Sequence, residues 1–99
     1  MDNMSNDIKT TFCLIMIVKD ESTIIERCLN SITNIFDYYV ICDTGSIDNT
    51  VDVIQNYMDN NGKKGYIIKK DWVDYGYNKS YVLEYFRNSN LSNMTNYIL

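Results

Sequence analysis

Histidine and proline are absent from the 99 residues, and there are only three cysteines and four glycines. Without histidine the usual nucleophile triads, the zinc-hydrolase patterns and most general-base schemes fall away. The cysteines, Cys13, Cys28 and Cys42, are far apart, and none pairs in a C-x-x-C. An odd count in apolar surroundings predicts reduced, buried thiols in a cytoplasmic protein. The apolar run FCLIMIV is far shorter than the roughly 20 residues that a membrane span needs. The polar start MDNMSNDIKT, a tail over 1–10, reads as no leader, so no membrane partner is expected. A P-loop is excluded because no G-x-x-x-x-G-K-[ST] occurs. The net charge of -4 makes nucleic acid an unexpected partner. The one basic cluster, Lys63, Lys64, Lys69 and Lys70, reads as a solvated loop and strand end.

What is present is globular. At 45% hydrophobic and 22% charged, the chain is neither disordered nor of low complexity. Its length allows one domain at most.

The hydrophobic period alternates along the chain. TFCLIMIV is a continuous β-rich run, as expected of a strand buried on both faces. STIIERCLNSIT follows, with Ile24, Ile25, Cys28, Leu29 and Ile32 at helical spacing. Thr23 and Glu26 fit a capping box and predict a helix start there. YYVIC reads as a second strand. DNTVDVIQNYMDNNG reads as a helix with Val51, Ile54 and Met58 on one stripe and Gly62 as its stop. GYIIKK is a third strand. YNKSYVLEYFRN is a third helix with Val82, Tyr85 and Phe86 on one face, and NYIL begins a fourth strand. Such alternation predicts an α/β fold with a parallel sheet and helical crossovers.

Acidic residues recur after the strands: Asp20 and Glu21, then Asp43, then Asp71 and Asp74. In open α/β sheets, ligands bind beyond the carboxyl ends of the strands. Asp43 is the least expected of these, because it ends a run that otherwise reads as core. Asp48 reads as a helix cap, and Asp20 and Asp74 as turn residues.

The segments LIMIVKDES, DYYVICDTGSIDNTVDVI and DWVDYGYNKSYVLEYF resemble, in this order and spacing, the N-terminal half of family 2 glycosyltransferases. The likeness runs from about Thr11 to Leu99, and D-T-G-S-x-D-x-T, Asp43 to Thr50, is its most specific piece. It implies a partial, Rossmann-like GT-A sheet in the order 3-2-1-4 with helices on both faces. It also implies a sugar-nucleotide partner, a UDP-sugar above all, bound weakly. Val18 and Glu21 match the turn that lines the nucleotide pocket. Asp43 matches the reader of the base, accepting from its ring imide N–H. Lys79 stands where the family has a diphosphate-side arginine, with the charge kept and the bidentate fork lost. Trp72 reads as a packing residue.

The pattern also breaks. The family holds Mn or Mg with a D-x-D after the fourth strand, and none occurs in these 99 residues. No cofactor is therefore expected in this chain, and 11–99 reads as a nucleotide-binding half, truncated before D-x-D and inactive alone. The alternatives are a nucleotide-binding or interaction module that pairs with a separate second half or with itself, and a fragment without a surviving role, flavodoxin- or receiver-like in fold.

Overall fold

The computed structural model describes residues 10–99. The tail expected at 1–10 thus lies outside the described residues except for Thr10. Four strands form one parallel sheet in the order β3-β2-β1-β4. They are β1 (Phe12–Val18), β2 (Tyr38–Asp43), β3 (Lys64–Lys69) and β4 (Tyr97–Ile98). The helices are α1 (Ile25–Ile32), α2 (Thr50–Asn60) and α3 (Tyr75–Asn88), followed by a 3-10 turn over Asn90–Asn93. None of the described helices is long and apolar enough to cross a membrane.

Strand side chains alternate between two faces, and each face builds a core. Leu14, Val18, Tyr39 and Ile41 pack with Ile25, Leu29, Ile54, Tyr57 and Met58 on the side of α1 and α2. Cys13, Ile15, Val40 and Cys42 pack with Val82, Phe86 and Leu91 on the side of α3. β2 is central and buried over five of its six residues. This is why its sequence is a continuous apolar run rather than an alternating one.

Several local expectations need correction. α1 starts at Ile25, and its N-cap residue, Ile24, makes no side-chain cap bond. The Thr23–Glu26 box does not form. The Glu21 carbonyl takes the N–H groups of Ile24 and Ile25 at 3.0 and 2.9 Å instead. Cys28 is exposed rather than buried, because Ile25 and Leu29 already carry the buried face of so short a helix. On α3 the core stripe is Asn78, Val82 and Phe86. These positions are four apart, so Tyr85 falls on the flank of that stripe, against Tyr66 of β3, and is 39% exposed.

The stop at Gly62 is as expected. Gly62 has φ 67, its N–H reaches the Asp59 carbonyl at 3.4 Å, and the Lys63 N–H reaches Met58 at 2.9 Å. That is a Schellman closure, which requires a left-handed residue. Lys63 is no solvated loop residue. Its Nζ donates to the Thr33 and Phe36 carbonyls at 2.6 and 2.7 Å, a cation satisfying acceptors just past the end of α1.

Candidate functional site

β1, β2 and β3 end level with one another, with Val18 paired to Asp43 and Asp43 to Lys69. The loops that follow therefore gather at one rim. Asp43 sits at its centre and is only 2% exposed. A buried carboxylate needs partners, and the DTGS turn supplies them. Oδ2 accepts the N–H of Gly45 at 3.2 Å and of Ser46 at 3.0 Å. Oδ1 accepts the Ser46 hydroxyl. Gly45 has φ 119, which an L side chain rarely adopts, and this fold-back brings both N–H groups onto one oxygen. An ionised carboxylate offers about four acceptor positions. Among the described residues three are occupied, so one remains, on Oδ1.

The loop after β1 locks onto the same turn. Asp20 is left-handed, with φ 51. Its Oδ1 accepts the N–H of Ile47 at 2.8 Å and of Asp48 at 3.3 Å. Its own N–H donates to Ser46 Oγ at 2.8 Å. The Glu21 N–H donates to Thr50 Oγ1 at 2.8 Å. Asp48 accepts from the Thr50 N–H at 2.9 Å, from the Thr50 hydroxyl, and from the Ser22 N–H at 3.3 Å. The Thr50 hydroxyl bond is the main reason that the Asp48 carboxyl is pulled down to about 2. Asp48 thus caps the start of α2 from one residue before Asn49, which occupies the N-cap position.

Asp43, Gly45, Ser46, Lys69, Lys70 and Asp71 line a cleft of about 380 Å³, within the size range of small-molecule sites. Lys70 is anchored at its mouth. Its N–H donates to the Asp43 carbonyl at 3.0 Å, and its Nζ stands 4.9 Å from the Tyr81 ring centre and 5.5 Å from that of Tyr77. The segment between Lys70 and α3 is held by Asn78, which is fully buried. Asn78 Oδ1 accepts the Val73 N–H at 2.9 Å, and its Nδ2 donates to the Asp71 carbonyl at 3.1 Å. Asp74 caps α3, taking the Tyr77 N–H at 2.7 Å.

The four residues singled out by sequence do not all meet. Asp43 lines the cleft. Val18 is buried, and its carbonyl is already occupied by the Thr44 N–H at 3.0 Å and hydroxyl at 3.2 Å. Glu21 lies on the adjoining loop, outside the cleft lining, with no side-chain hydrogen bond among the described residues. Lys79 lies one helical turn into α3, its Nζ 5.9 Å from the Tyr75 ring centre, and is not in the lining either. The lysine at the cleft is Lys70, which sequence reasoning put in a solvated cluster. Its position directly after the third strand was the available signal. Trp72 is 52% exposed, so the packing role expected of it is not realised.

The rim carboxylates do not fit a divalent cation. Asp20, Asp43, Asp48 and Asp74 each face N–H or hydroxyl donors, and no three acidic or cysteine side chains converge among the described residues. Hard cations need several free oxygens directed at one point.

The family model for glycosyl transferase family 2 matches residues 13–89. No curated protein matches the chain.

Proposed function

The chain belongs to glycosyl transferase family 2, and from that premise we propose that it binds the uridine end of a sugar-nucleotide donor in the cleft at Asp43. In this reading, sugar transfer requires groups beyond these 99 residues. The observation that carries it is the single open acceptor position on the buried Asp43 carboxylate. Uracil presents one imide N–H, and one acceptor satisfies it. Guanine presents two adjacent N–H donors and needs two. Cytosine presents a ring-nitrogen acceptor at that place and would set lone pair against lone pair.

Lys70 supplies the cation. A lysine held against two tyrosine rings keeps its charge while losing little further freedom on binding. It suits a uracil carbonyl beside the imide, or the first phosphate. Lys79 is too far along α3 to share the cleft lining, so the diphosphate-side role implied by resemblance passes to Lys70. Asp20, Asp48 and Asn78 position the loops and do not touch the ligand. No metal enters this account, because no three acidic or cysteine side chains converge among the described residues.

Affinity should be on the order of millimolar, about -4 kcal/mol, since contacts to one base and one charge are few. Chemical-shift titration of the 99-residue chain with UMP, CMP and GMP is the test. UMP should move the amides of Gly45, Ser46 and Lys70 and bind at least about tenfold tighter than the other two, a difference of about 1.4 kcal/mol. Equal binding of the three bases would remove the basis of the proposal.

A further inference from the structure

The flank of α3 beside its core stripe carries a second feature, and the cleft at its C-terminal end shares no lining residue with the Asp43 cleft. Tyr77, Tyr81 and Tyr85 recur every four residues and are 45%, 39% and 39% exposed. Tyr66 of β3 meets the last of them, with ring centres 5.5 Å apart at 66°. Beside this pair opens a cleft of about 490 Å³, lined by Tyr66, Tyr85, Asn88, Ser89 and Asn90.

The lining is chemically specific. It has no aliphatic side chain, no cation and no carboxylate. The Tyr66 hydroxyl donates to Asn90 Oδ1 at 2.8 Å, which leaves the Asn90 amide N–H groups as free donors and the Tyr66 oxygen as an acceptor. Asn88 Nδ2 reaches Glu84 at 3.4 Å, so its carbonyl oxygen remains open. The Tyr85 hydroxyl has no partner among the described residues. A protein partner would bring apolar anchors that need aliphatic or enclosed aromatic pockets. An anion would need a cation or a cluster of N–H donors. Exposed tyrosine ring surface carrying negative quadrupole potential, edged by amides that both donate and accept, matches a flat patch of polarised C–H bonds ringed by hydroxyls. That is the surface of a pyranose.

We propose that the Tyr66–Tyr85 cleft is a binding site for a neutral saccharide. The site is separate from the base-reading cleft, and the inference does not rest on the uridine reading.

The test is a chemical-shift titration of the 99-residue chain with cellotetraose, maltotetraose and chitotetraose. At least one should bind with an affinity on the order of millimolar. It should shift Tyr66, Tyr85, Asn88 and Asn90 while leaving Asp43 and Ser46 in place, and saturating UMP should not change it. Tyr85→Ala should weaken binding about tenfold through loss of the ring face, and Tyr85→Phe should retain most of it. Because Tyr85 lies outside the core, both variants should keep the wild-type spectrum elsewhere. No shifts with any of the three sugars would overturn the proposal. So would equal binding by Tyr85→Ala, or shifts at these residues that depend only on chain concentration, which would mark the face as a contact between copies.

Discussion

Asp20 Oδ1 accepts the backbone N–H of Ile47 at 2.8 Å, joining two loops that are 27 residues apart in sequence. The same oxygen also takes the Asp48 N–H, so one carboxylate fixes the turn that shapes the Asp43 cleft. Asp20→Ala removes both bonds and leaves a β-carbon at φ 51, a conformation that asparagine and aspartate tolerate better than alanine does. The expected loss is about 2–4 kcal/mol of stability, with faster amide exchange at Ile47 and Asp48. Asp20→Asn keeps the oxygen and should cost less than half as much. Urea unfolding of both variants checks this, and an alanine variant as stable as wild type would contradict it.

Gly65 tests the sheet. A β-carbon there would stand 1.9 Å from the Tyr39 carbonyl oxygen of the neighbouring strand. Backbone cannot step aside as a flexible side chain can, so Gly65→Ala must push β3 away from β2. The expected cost is about 3 kcal/mol or more, at the upper end of ordinary substitutions. An unfolding midpoint unchanged from wild type would show that the strands are spaced more widely.

Asp48 gives the loops an acid limit. Its carboxyl is held down to about 2, first by the Thr50 hydroxyl and then by the Thr50 and Ser22 N–H groups. A depressed value means that the folded state favours the ionised form. The stabilisation is therefore complete above the ordinary carboxylate range near 4 and is lost as pH falls from there toward 2. The Thr50 amide resonance should follow a titration with its midpoint near 2. A midpoint near 4 would mean that these bonds do not form.

The crossovers were legible in the sequence because β1 and β2 are buried apolar runs and each helix carries a distinct stripe, whereas the sheet order came with the resemblance, since β3 and β4 hold no buried residue. Asp43 stood out because a carboxylate at the end of such a run has no packing purpose. The start of α1 was not legible. Its capping box lost to the Glu21 carbonyl, and that loop is held by Thr50 and Asp48, partners far away in sequence. Lys70 and Lys63 looked alike in a basic cluster. One lies against tyrosines at the cleft and the other caps a helix end, a difference made by tertiary neighbours alone. Tyr85 and Phe86 both fitted an apolar face, and the stripe that faces the core includes the polar Asn78, which apolar spacing alone does not reveal.

The cysteines separate by burial. Burial pushes the Cys13 thiol up to about 12. Burial also raises Cys42, partly offset by a hydrogen bond with Asn78. Cys28 is exposed. Maleimide labelling of the native chain at neutral pH should therefore modify Cys28 alone, with Cys13 and Cys42 reacting only at the rate of unfolding. Fast labelling of either buried thiol would place it outside the core.

The central claim is that the remaining acceptor position of Asp43 reads the base, and Asp43→Asn tests it most directly. An asparagine oxygen can keep the Gly45 and Ser46 N–H groups while its amide turns toward Ser46 Oγ. The turn then persists, but the open acceptor becomes a donor. UMP titration of wild type and variant, with the Gly45 and Ser46 amides as the check on the turn, is the measurement. Loss of about 1.5–3 kcal/mol, a tenfold or greater weakening from a millimolar starting point, is the predicted result. Equal UMP affinity in the two proteins, with the turn intact, would contradict it.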